Sequence, residues 1–142
     1  MGKMSNLPKL GEFMYGMNND FVRKFTLKST FLFNKEIITE EFYEQLTRFH
    51  KIEGSTDVIM YVTRMQFFDR LSEGISVLGS MGVPTLIVWG RNEKSIRLSI
   101  GEELARKLMA SQMEILNHAG HCSTIDQYKQ FNILVLDFLR PF

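Results

Sequence analysis

The sequence predicts an α/β protein in which a helical amino-terminal part is followed by two strand–helix units of a parallel sheet. Three observations predict it. Apolar residues recur at steps of three and four through the first 82 positions, the spacing of one helical face. A short apolar run, Pro84-Thr85-Leu86-Ile87-Val88-Trp89, and a second strand-like segment, Met113-Glu114-Ile115-Leu116, then interrupt that rhythm, and each is followed by an amphipathic segment. The composition also changes near Gly82-Val83-Pro84: nine of the twelve Phe and seven of the nine Met precede it.

The elements follow in order. Met14, Met17, Phe21 and Phe25 mark a first helix, and Phe42, Leu46, Phe49 and Ile52 a second that starts at Thr39 with Glu40 and Glu41 in its first turn. Val58, Val62 and Met65 define a third, and Phe68, Leu71, Ile75 and Leu78 a fourth. The run ending at Gly90 is β-branched and continuous, which suits a strand buried on both faces. Ile100, Leu104, Ala105 and Leu108 give the next helix its inner side, with Glu102, Glu103, Arg106 and Lys107 outward. After the second strand comes Asn117-His118-Ala119-Gly120-His121. A last helix follows with the stripe Phe131, Leu134, Val135, Phe138 and Leu139, and Thr124 and Gln127 have capping-box spacing at its start. Strand, helix, strand, helix is the right-handed winding of a parallel sheet. Two such strands are too few for a stable sheet, so the chain is expected to expose an apolar face and an open edge and to self-associate.

The 142 residues fit one domain by length. With 17 basic and 16 acidic side chains the net charge is +1, without the clustered positive charge on which nucleic-acid and polybasic membrane binding rest. A hydrophobic fraction of 44% is too high for disorder. One cysteine excludes an intrachain disulfide and disfavours a cysteine zinc site. The stretch from Gly74 to Gly90 lacks charge but contains Pro84 and four glycines, so no membrane span is expected. The first six residues carry neither a signal-peptide core nor the myristoylation pattern, and the expectation is a soluble, cytoplasmic protein.

Chemistry in open parallel sheets collects at the carboxyl ends of strands. Here these ends present Gly90-Arg91-Asn92-Glu93 and Ala119-Gly120-His121. An acid after one strand and a histidine after the next are the supporting members of a nucleophile–His–acid triad: the acid fixes the imidazole tautomer, and the other ring nitrogen takes the nucleophile's proton. Plainer roles are open to both. Glu93 has Arg91 and Lys94 beside it as ion-pair partners, and His121 could bond a loop carbonyl. His118, His121 and Cys122 lie close in sequence but lack a fourth ligand for a metal, and Cys122 suits a buried or half-buried thiol better than a nucleophile. The Phe- and Met-rich faces suit core packing, or the lining of an apolar pocket.

The stretch VPTLIVWGRNEKS, a helix, and then MEILNHAGHCSTIDQYKQFNILVLDFL resembles the carboxyl-terminal portion of the α/β-hydrolase family. The resemblance covers residues 83–140. It implies a partial α/β-hydrolase fold: a helical lid or cap-like segment over 1–82, then the last two strand–helix units over 83–142. It also implies catalytic roles for His121 and Glu93, ester or related bond hydrolysis, no cofactor or metal, and a small, partly apolar substrate. The family usually has Asp where Glu93 stands, and the extra methylene displaces the carboxylate by about 1.5 Å unless the loop compensates. No G-x-S-x-G elbow is present, and the nearest approach, Gly74-Ile75-Ser76-Val77-Leu78-Gly79, is one residue too long and lies in a helical pattern, so Ser76 is not expected to be the nucleophile. The expectation is a fragment that is inactive alone, completed by an amino-terminal chain or by self-association. The alternative is a non-catalytic module that binds a small ligand or a partner.

Overall fold

A computed structural model describes Phe13 and residues 19–65 and 72–141. Its elements are α1 (Asp20–Thr26), a π-helical turn (Leu27–Phe31), a 3-10 turn (Lys35–Ile37), α2 (Glu40–Thr47), a second 3-10 turn (Arg48–Lys51), α3 (Ser55–Arg64), α4 (Ser72–Ser80), β1 (Thr85–Gly90), α5 (Leu98–Lys107), β2 (Ser111–Leu116), the short α6 (Ser123–Asp126) and α7 (Tyr128–Leu139). They form two compact units. One contains residues 1–25 and 38–72, the other residues 26–37 and 73–142.

In the first unit, Asn19 caps α1 by accepting from the Val22 N–H at 3.0 Å. Thr39 caps α2 in the same way, accepting from the Phe42 N–H at 3.1 Å. Both satisfy donors that a helix start leaves unpaired. The helix faces differ from the expectation. Tyr43 and Thr47 are the buried residues of α2, whereas Leu46, Phe49 and Ile52 are exposed and Phe42 is half-buried. In α3, Met60 is buried at 2% exposure while Val58, Val62 and Met65 face solvent, and Phe21 and Phe25 are exposed. Polar bonds explain the choice in α2. The Tyr43 hydroxyl donates to Asp20 Oδ1 at 3.0 Å, and Thr47 Oγ1 donates to the Tyr43 carbonyl at 2.8 Å. These groups are buried because they are satisfied. Met14, Met17, Phe68 and Leu71 lie outside the described residues.

In the second unit, β1 and β2 pair in parallel with Thr85 opposite Ser111 and Gly90 opposite Leu116. Among the described residues β1 pairs with β2 alone. The helix between them, α5, packs on both strands, and α7 packs on β1. The core holds Ile87, Leu108, Leu116 and Ala119, with Leu116 only 1% exposed. Coverage of β1 is less than a strand buried on both faces would have: Ile87 and Gly90 are buried, and the other four residues are half-buried. In α5 it is Gly101, set against the Trp89 ring, that is buried, while Ile100 is exposed. Phe131, Leu134, Val135 and Phe138 form the half-buried stripe of α7, and Leu139 is exposed. The capping box at its start does not form. The chain breaks between α6 and α7 at Gln127, whose side chain donates to the His118 carbonyl at 3.2 Å. Residues 26–37 belong to this unit, and Leu32 is one of its buried residues.

Candidate active site

The loops that leave β1 and β2 are bonded to each other. The Arg91 N–H donates to the Leu116 carbonyl and the Asn92 N–H to the Ala119 carbonyl, both at 2.9 Å. Arg91 Nε reaches Asn117 Oδ1 at 2.6 Å. Gly90 allows this approach, since a Cβ there would stand 2.2 Å from the Gly120 carbonyl oxygen and 2.5 Å from that of Ala119. The stitched loops bring Glu93 and His121 together: Glu93 Oε2 lies 2.6 Å from His121 Nδ1. The Glu93 side chain is 6% exposed and that of His121 34%.

The second Glu93 oxygen accepts from the backbone N–H of Ser95 and, at 3.2 Å, from that of Ile96. Burial by itself pushes the Glu93 carboxyl up, but the Ser95 N–H, His121 and the Ile96 N–H outweigh it and hold the group below the ordinary carboxylate range. The partners proposed by sequence proximity go elsewhere: Arg91 takes Asn117, and Lys94 Nζ donates to the Ser29 carbonyl at 2.9 Å. With Nδ1 facing a carboxylate, the geometry suits a proton on Nδ1 and leaves Nε2 outside that contact. The Phe31 ring meets the imidazole edge-on, centroids 5.1 Å apart at 70°.

The remaining residues singled out by sequence take no part in this contact. Ser76 lies within α4 and is exposed, away from any strand end. Cys122 is half-buried, and burial first, then the charges of Asp126 and Glu93, push its thiol up, which disfavours the thiolate. His118 turns its ring toward Phe33 at 5.3 Å from a left-handed backbone position. Among the described residues no three His, Cys, Asp or Glu side chains gather as a metal site.

Two contributors were missed by sequence reasoning. Residues 26–37 supply Phe31 to the imidazole and, with Asn92, Glu93 and Lys94, line an open cleft of about 470 Å³. Asp126 is buried at 8% exposure, and its carboxylate accepts from the backbone N–H groups of Phe33, Asn34 and Gly120. The sequence carries no signal for Asp126, which stands three positions before Lys129 in a stretch that reads as an ordinary helix start.

Parallel strands joined through a helix, with an acid and a histidine on their adjoining carboxyl-terminal loops, define a wound-sheet α/β protein. No protein-family model matches the sequence. Two 2-hydroxy-6-oxononadienedioate/2-hydroxy-6-oxononatrienedioate hydrolases of Pseudomonas putida are 28% and 30% identical to it over 121 and 118 residues, in each case 80% of this chain and 40% of the relative. A hydrolase of the same description from Cupriavidus pinatubonensis is 38% identical over 64 residues, 45% of this chain and 22% of its own. The chain thus spans less than half the length of these curated relatives. Its fold matches the crystal structure of a mutant meta-cleavage product hydrolase (CumD) with a TM-score of 0.68 and 22% identity, over 79% of this chain and 42% of that one. The chain therefore has part of an α/β-hydrolase fold, and the relatives that it matches are hydrolases.

Proposed function

We propose that this chain supplies the acid and the histidine of a serine-type hydrolase whose nucleophile stands on polypeptide outside these 142 residues. The observation that carries the reading is the 2.6 Å contact between Glu93 and His121 on adjoining strand-end loops. His121 Nε2 takes the serine proton as the serine oxygen attacks a carbonyl carbon, and the oxyanion is held by backbone N–H groups. Glu93 keeps the tautomer and steadies the imidazolium. His121 returns the proton to the departing half of the substrate, and water releases the acyl half by the same path. The cycle needs no cofactor or metal.

The substrate class we propose follows the relatives' names: a small, partly apolar 6-oxo dienoate carrying carboxylates. Lys35 and Lys94 on the cleft beside Glu93 suit an anionic substrate. In this reading residues 1–82 correspond to the lid or cap-like segment of such a hydrolase. The edge of β1 left unpaired among the described residues and the exposed Val77, Met81, Ile133 and Leu136 support uptake of a complementing chain or self-association. A single monomer boundary in sedimentation velocity would count against that part.

The test is reconstitution. The chain alone is expected to show no turnover of a chromogenic 6-oxo dienoate or short-chain ester. Coexpression with the nucleophile-bearing amino-terminal part of one of these hydrolases should give turnover that His121→Ala lowers by about a thousandfold or more. Turnover by the chain alone, or joint turnover untouched by His121→Ala, contradicts the reading. The absence of a G-x-S-x-G motif from the 142 residues favours a second reading, a non-catalytic small-ligand module, whose mark would be saturable dienoate binding without turnover in any combination.

A further inference from the structure

We infer that Asp126 is the positioning residue of the site, holding His121 in place through the backbone on either side of it; the inference deepens the proposed function and rests on it for its catalytic meaning. The carboxylate joins two pieces of chain that sequence keeps 93 positions apart. Oδ2 accepts the N–H of Gly120, the residue before His121, at 2.8 Å. Oδ1 accepts the Asn34 N–H at 2.9 Å, and the Phe33 N–H lies between both oxygens at 3.1 and 3.0 Å.

The clamp is completed from the other side. The Cys122 N–H, just after His121, donates to the Phe31 carbonyl at 3.1 Å, so the histidine sits between two backbone bonds that lead to the same strip of chain. That strip also presents the Phe31 ring to the imidazole. Gly120 is pressed so closely that a Cβ would fall 2.9 Å from the Phe31 carbonyl oxygen. Asp126 meets backbone donors and no side-chain cation in these bonds. A buried carboxylate with three N–H donors is a rigid anchor, because withdrawing it strands both the charge and the donors. Its effect on chemistry passes through the angle at which His121 receives Glu93 and presents Nε2.

The test reads His121 in the purified full chain by NMR, with no turnover required. In the wild type the His121 Nδ1–H gives a downfield resonance that Glu93→Gln abolishes, while the Gly120 amide stays protected. Asp126→Asn is expected to shift or broaden that resonance and to speed exchange of the Gly120 amide by about tenfold or more, leaving the Ser95 and Ile96 amides as they were. Asp126→Glu keeps the charge and should move the resonance part of the way. If Asp126→Asn does not fold by circular dichroism, Asp126→Glu carries the test. A His121 resonance at its wild-type position in either folded variant overturns the inference. A failed reconstitution with a displaced resonance would instead fault the proposed function and leave the positioning role standing.

Discussion

Glu93 Oε2 and His121 Nδ1 stand 2.6 Å apart on the loops that leave two adjacent parallel strands, and the remaining Glu93 oxygen is held by two backbone N–H groups. The extra methylene of Glu relative to the family's usual Asp is thus accommodated by the loop itself, which turns back to donate from Ser95 and Ile96.

This arrangement has a pH signature. The folded Glu93 carboxyl lies below its ordinary range, so it stabilises the fold above that range, and the contribution is lost as pH falls through the folded value. The difference in melting temperature between wild type and Glu93→Gln should therefore narrow in acid below the ordinary carboxylate range. A difference undiminished there would contradict the assignment.

Two glycines should respond in opposite ways to alanine. A Cβ at Gly90 collides with the backbone of Ala119 and Gly120, so Gly90→Ala should cost about 1–3 kcal/mol and displace the loop that carries His121. Gly74 lies exposed in α4 with nothing within 4 Å of a new Cβ, so Gly74→Ala should gain about 0.5–1 kcal/mol. Urea unfolding of the two variants beside wild type decides both.

Burial and two nearby carboxylates raise the Cys122 thiol. Alkylation by iodoacetamide at mildly alkaline pH should lag well behind that of a free cysteine peptide and approach it only in denaturant. Equal rates in the native state would show a reactive thiolate that this structure does not provide.

Truncating the best-buried side chains should be costly in either unit. Leu116→Ala and Met60→Ala remove residues that are 1% and 2% exposed, and each should lose about 2–5 kcal/mol by chemical denaturation. A loss below about 1 kcal/mol at Leu116 would mean that the strand pair is not a packed core.

The strands were legible because a β-branched run closed by Gly90 and a short run closed by Asn117 leave few alternatives, and their parallel pairing follows from the helix between them. Glu93 and His121 were legible as residues at strand ends. The helix faces were less so: Phe42, Leu46 and Phe49 share a spacing, but Tyr43 and Thr47 took the interior through bonds that spacing does not encode. Residues 26–37 and Asp126 were invisible for the same reason on a larger scale. Their meaning lies in a carboxylate meeting backbone donors more than 90 positions away, and no local pattern announces that.

The tautomer of His121 tests the account most directly. Nitrogen-15 NMR of the ring at neutral pH should show the proton on Nδ1, facing Glu93, with Nε2 bare, and Glu93→Gln should weaken that preference. A ring protonated on Nε2, indifferent to Glu93, would mean that the two groups are neighbours and not a working pair.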